Sequence, residues 1–227
     1  MFIPLFYNLT IEVKFPSLII RFPFATLPNK GMSVADMQID FLHGALRNEE
    51  GIKIIPGVIQ RIKEYQAENK LIIATRDTHE KDYLTTQEGT KLPVEHCIRY
   101  SHGWRINEQI EDALGEIYIY DGQSFPGREM QGLPNAHSFT LIFDKPTFGS
   151  VELANYLRKC YSKVQSKLQI ELVGVCTDIC VISNAMLLKA SLPEAKICVN
   201  SSLCAGVTVE SHQNALKAMS SCQIEII

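Results

Sequence analysis

Gln169-Ile-Glu-Leu-Val-Gly-Val175 runs directly into Cys176-Thr-Asp-Ile-Cys-Val-Ile-Ser-Asn-Ala-Met-Leu-Leu-Lys-Ala190. The first seven residues form a mostly apolar run of strand length, and from Asp178 to Ala190 the pattern has helix length. A buried strand that feeds straight into a helix is half of a βαβ unit, and such units build parallel sheets with crossover helices. The same alternation recurs along the chain. Further strands are expected at Met32 to Asp36, Leu71 to Arg76, Thr140 to Asp144, Lys196 to Asn200 and Gln223 to Ile227. Helices are expected from Pro56 through Val58, Ile59, Ile62 and Tyr65, from Ser150 to Lys163, and from Val209 to Ser221. Pro56 suits a first helical turn. The sum is a three-layer, doubly wound α/β fold: a mainly parallel six-stranded sheet with helices on both faces. Residues 1–30 stand apart as an atypical extension, with Phe2, Phe6, Phe15, Phe22 and Phe24 among prolines, and the main domain spans 31–227.

Composition narrows the function. The 227 residues are 46% hydrophobic and 21% charged, which is globular rather than disordered. Lys and Arg number 22 against 25 Asp and Glu, so there is no basic footprint for nucleic acid and no polybasic membrane patch. No apolar stretch reaches the roughly 20 residues of a spanning helix. The seven cysteines are scattered without C-x-x-C pairs, which suggests reduced thiols rather than a disulfide framework or thiolate zinc site. With no leader pattern at the start, a cytoplasmic protein acting on a small molecule is expected.

In doubly wound sheets, ligands bind at the carboxyl ends of the strands. Asp36, Asp77, Lys145 and the Thr177 to Cys180 segment all follow expected strands and should converge there. Cys180 would sit in the first turn of a helix capped by Thr177 or Asp178. There the dipole and free N–H groups would lower the thiol pKa and could also hold an oxyanion. The plainer alternative is a small buried apolar residue. Asp36 could accept the thiol proton and Lys145 could stabilise the thiolate; equally, Asp36 could cap a helix and Lys145 could be solvated. Asp77 and His79, two apart at a strand end, could share one point with His96 as a mixed N/O metal site, or all three could be ordinary loop residues.

Four ordered motifs resemble one family: Asp36-Met-Gln-Ile-Asp-Phe41, Asp77-Thr-His79, Lys145-Pro-Thr-Phe148 and Gly174-Val-Cys-Thr-Asp-Ile-Cys180-Val. They are similar to the isochorismatase-like cysteine hydrolases and, within them, the nicotinamidases, from about residue 32 to the C-terminus. The resemblance implies an Asp36–Lys145–Cys180 triad, a cis peptide between Val175 and Cys176, and an oxyanion hole from the backbone N–H groups of Cys176 and Cys180. It further implies a divalent metal, zinc with iron or manganese as alternatives, held by Asp77, His79 and His96 and binding a pyridine nitrogen. The fourth ligand is usually a His soon after D-x-H. Residues 80–86 contain none, so Glu88 is the candidate, with Glu80 and Glu95 as rivals. Phe41 and Phe148 would line the ring pocket. Leu92-Pro-Val94 stands where nicotinamidases often carry a Trp, and the chain's single Trp is Trp104. Residues around 120–138 read as an inserted loop, and His43, His102, His137 and His212 as solvated.

The expected activity is hydrolysis of nicotinamide to nicotinate and ammonia. The partner implied is a small amide, and self-association stays open. Two readings compete with it: a metal-independent relative acting on another small amide or ureide, and a non-catalytic interaction module.

Overall fold

The computed structural model describes residues 10–15, 18–23, 28–120 and 139–227. Strands β1 (Thr10–Phe15) and β2 (Leu18–Pro23) pair antiparallel as a two-stranded sheet of their own. The chain then enters β3 (Lys30–Ala35), a short helix α1 (Ile39–Leu42), the long helix α2 (Glu49–Ala67) and β4 (Leu71–Asp77). Two small helices, α3 (Gln87–Lys91) and α4 (Glu108–Leu114), lead to β5 (Glu116–Tyr120). There follow β6 (Phe139–Lys145), α5 (Val151–Tyr161), β7 (Gln169–Val175), a single π-turn (Thr177–Val181), α6 (Ile182–Ser191), β8 (Lys196–Ala205), α7 (Val209–Ser221) and β9 (Glu225–Ile226).

The main sheet has seven strands in the order β5-β6-β4-β3-β7-β8-β9, every pair parallel. The expected six-strand sheet gains one edge strand, β5. Its Glu116-Ile-Tyr-Ile-Tyr120 sequence is only half-buried and lacks the continuous apolar run that marks inner strands. Strand β8 also extends beyond Asn200: its register with β7 breaks between Leu172 and Gly174 and resumes at Gly174↔Cys204.

Each face of the sheet carries its own core. Leu153, Leu157, Leu188 and Met219, from α5, α6 and α7, pack on one side, and Ile55, Val58, Ile62, Ile110 and Leu114, from α2 and α4, on the other. Each such side chain stabilises the fold by about 1.5–3 kcal/mol when fully buried. Helix α2 begins one to two turns earlier than its proline suggests. Asn48 is its N-cap, accepting from the Gly51 N–H at 2.9 Å, and Pro56 lies inside the helix. The missing proline N–H removes one intrahelical bond, and the buried Ile55–Tyr65 face holds the helix together.

The central strands β6, β4, β3 and β7 end side by side at Lys145, Asp77, Ala35 and Val175, with Asp36 directly after β3 and Asp77 paired in register to Lys145. Gly174 allows β7 to approach β3 here. Its φ is +113°, and a Cβ would overlap the carbonyl oxygen of Ala35. Among the described residues, no helix is long and apolar enough to cross a membrane.

Candidate active site

Asp36 leaves β3 with a left-handed φ of 48°, a conformation that Asp tolerates better than most residues, and its carboxylate is fully buried. Oδ1 accepts from the Thr75 hydroxyl at 2.8 Å. Oδ2 has no aligned hydrogen-bond donor, but Lys145 Nζ lies 2.8 Å away as an ion pair. Lys145 is itself wholly buried, with Nζ 3.2 Å from Asp77 Oδ1 and 3.7 Å from Cys180 Sγ. Burial works against its ammonium form, but Asp36, Cys180 and Asp77 outweigh it and hold the pKa well above the usual lysine value. Asp36 moves up, chiefly through burial and with Asp77 adding, while Lys145 pulls the other way.

Cys180 departs from one expectation. Burial drives its thiol pKa above the ordinary value despite the pull of Lys145, where a lowered value was expected. The turn that carries it differs as well. Residues Thr177–Val181 form a π-turn rather than a first α-turn, and neither Thr177 nor Asp178 caps it. The Thr177 side chain meets His212 Nδ1 at 2.8 Å instead, and the Asp178 carboxylate accepts from the Val207 N–H at 3.0 Å. Asn184 Nδ2 donates to the Cys180 carbonyl at 2.9 Å. The peptide between Val175 and Cys176 is cis, as the resemblance implies.

The structure gathers Asp77, His79, Glu88 and His96, with one donor atom from each lying within 4.8 Å of all the others. His79 Nε2 is 3.1 Å from Asp77 Oδ2 and 3.7 Å from Glu88 Oε1, and His96 Nε2 is 3.6 Å from Asp77 Oδ2. The other ring nitrogen of His96, Nδ1, bonds the Val94 carbonyl at 2.8 Å, which leaves Nε2 as the free donor atom. Burial and the Asp77 charge push the Glu88 carboxyl up. Two carboxylates and two imidazoles crowded with too little positive charge fit a divalent cation of the zinc, iron or manganese type. Glu80 instead pairs with Arg99 at 2.6 Å, and Glu95 is exposed outside the group.

Phe41 is buried beside this four-residue group, its ring centroid 5.7 Å from that of His96. Phe148 is 44% exposed and does not share that enclosure. Cys176 is half-buried, its sulfur 3.8 Å from Asn48 Nδ2. His212, expected to be solvated, is half-buried against the π-turn. His137 and the inserted loop lie outside the described residues, apart from the loop's first residue, Tyr120, which ends β5.

Several supporting residues escaped the sequence reading. Gln38 bonds the backbone on both sides of Asp77, accepting from its N–H at 2.6 Å and donating to its carbonyl at 2.8 Å. Tyr83 packs on both His79 and His96, with centroids at 4.6 and 5.0 Å. Trp104 lies behind the site under the Arg76 guanidinium, 3.5 Å from the ring centroid, and its indole N–H donates to Thr78 at 2.8 Å. A signal existed for Thr75 alone: two residues before Asp77 on one strand, it must face the same way.

The isochorismatase domain profile matches residues 32–121 and 126–227. The chain belongs to the isochorismatase family, and with its buried thiol site it is a cysteine amidohydrolase. Within the family it is similar to a nicotinamidase of Schizosaccharomyces pombe, 25% identical over 219 residues and covering 86% of this chain and 90% of that one. A pyrazinamidase of Pyrococcus horikoshii, solved in complex with zinc, superposes with a TM-score of 0.63 at 25% identity over 88% of this chain and 99% of that one. A nicotinamidase of Bacillus subtilis has a TM-score of 0.66 at 19% identity over 87% and 98%, a likeness of fold alone.

Proposed function

We propose that this chain is a nicotinamidase, converting nicotinamide and water to nicotinate and ammonia through a Cys180 thioester. The observation that carries the reading is the sharing of Asp77, whose Oδ1 contacts Lys145 while Oδ2 faces His79 and His96. One residue thus ties a buried Asp–Lys–Cys group to a mixed N/O donor set. The profile match beginning at residue 32 supports a hydrolase domain over 31–227, with residues 1–30 as an extension.

Asp36 Oδ2, free of an aligned donor, takes the Cys180 proton, and the Lys145 ammonium holds the thiolate. The sulfur attacks the carboxamide carbon, and the backbone N–H groups of Cys176 and Cys180 receive the oxyanion. Asp36 returns its proton to the leaving nitrogen as the C–N bond breaks and ammonia departs. It then takes a proton from the water that cleaves the thioester and passes it to the departing sulfur, so that the free thiol is restored and nicotinic acid leaves, losing its proton to solvent as nicotinate. Burial raises the pKa of Asp36 above the ordinary carboxylate value, which makes it a better proton acceptor. Asp77, His79, Glu88 and His96 would hold the metal, and a bound divalent ion would supply a Lewis-acidic anchor for the pyridine nitrogen. Phe41 would flank the ring.

Ammonia release from nicotinamide, pyrazinamide and a set of ureides, with and without chelator, tests this proposal. Turnover of the two ring carboxamides that falls on chelation is expected. Chelator-indifferent turnover of ureides alone would favour the metal-independent reading.

A further inference from the structure

We infer that His212 is a positioning residue for the nucleophile turn, acting through the Thr177 hydroxyl; this rests on the cysteine-hydrolase reading of the site. The Thr177–Val181 turn has no side-chain cap and lacks a regular first α-turn: the Cys176 carbonyl accepts from both the Ile179 and Val181 N–H groups at 3.0 Å. Its own hydrogen bonds therefore leave its orientation under-determined, and outside anchors must set it. Asn184 of α6 holds the Cys180 carbonyl, and two further anchors at successive residues run to the start of α7. Asp178 accepts from the Val207 N–H, in an exposed bond. Thr177, with no exposed surface, meets His212 Nδ1 at 2.8 Å across 35 residues of sequence.

Of the two α7 anchors, the part-buried one at Thr177 is the stiffer, because its hydroxyl is shielded from water. It also sits at the decisive place. Thr177 follows Cys176 directly and precedes Cys180 by three residues, so it lies between the two backbone N–H groups assigned to the oxyanion. Helix α7 is in turn held in place by its capping box at Thr208 and Ser211. Burial lowers the His212 pKa, which favours the neutral ring, and a neutral Nδ1 without its proton can accept from the hydroxyl.

The pair has a clear signature. His212→Leu and Thr177→Val should each lower kcat for nicotinamide about tenfold with KM within twofold, since the lost hydrogen bond is felt in transition-state alignment. The double variant should be no worse than either single one. His212→Asn, whose carboxamide can place a polar atom near the Nδ1 position, should recover most of the activity. Iodoacetamide alkylation of Cys180, read by peptide mass mapping, gives a parallel measure that needs no amide substrate. It should slow in the Leu and Val variants and recover in the Asn variant. Additive losses in the double variant, or an Asn variant as impaired as the Leu variant in both readouts, would overturn the inference. Wild-type protein inert to nicotinamide would overturn the substrate reading alone, and the alkylation series would then decide the role of His212.

Discussion

Asp36, Lys145 and Cys180 form a charge cluster in which no member can be changed alone without consequence. Asp36→Asn preserves shape and can keep the Thr75 contact but removes the base, so kcat should fall by about 10²–10⁴-fold while thermal unfolding stays close to wild type. Steady-state ammonia release beside a melting curve checks this. Lys145→Met is expected to act on the fold as well. It leaves Asp36 and Asp77 buried without their shared cation, a loss of about 3–5 kcal/mol that urea denaturation would detect. That Asp36, Lys145 and Cys180 meet, and that Asp77 and His79 meet, was legible because short motifs place them at or just beyond the ends of expected strands. Gln38, Tyr83 and Trp104 were not, because their roles rest on contacts with Asp77, His96 and Thr78, which lie 39, 13 and 26 residues away.

At the level of elements, the approach of β7 to β3 and the capping of α2 both bear on the site. Gly174→Ala should cost at least about 2 kcal/mol, since it combines a φ of +113° with overlap on the Ala35 carbonyl, one residue from Asp36. Asn48→Ala removes both an N-cap and a 2.8 Å bond to the Gly206 carbonyl, so a loss of about 1–2 kcal/mol is expected in equilibrium unfolding. Inner strands and long amphipathic helices were readable from pattern alone; α7 falls at Val209–Ser221 as expected. The edge strand β5 was missed although its Ile and Tyr residues favour strands, because it lacks the continuous apolar run that marks the inner strands. The start of α2 was misplaced because Pro56 outweighed the better cap eight residues earlier. The π-turn has no separate sequence signal: the same residues would suit an ordinary helix start, and only the contacts of Thr177 and Asp178 with the α7 region distinguish the two.

Across the whole molecule, a second buried ionic group ties the sheet to α2 away from the site. Burial works against the Glu171 charge, but Arg61, Asn200 and Tyr65 together hold its carboxyl below the usual glutamate value. A carboxyl with a depressed folded pKa adds stability above its unfolded pKa, and that stability is lost as pH falls through the folded one. Glu171→Gln should therefore be destabilised by about 1–3 kcal/mol at pH 7, and the gap from wild type should narrow below about pH 4. Denaturation at both pH values checks the sign; an unchanged gap would contradict it. The seven parallel strands, the two cores and this anchor exist to hold four strand ends in register, and the account stands or falls on what the thiol there does. The most direct test is ammonia release from nicotinamide by wild-type protein and by Cys180→Ala. The account predicts release by the wild type and none by the variant, with both folded. Equal release by both would contradict it.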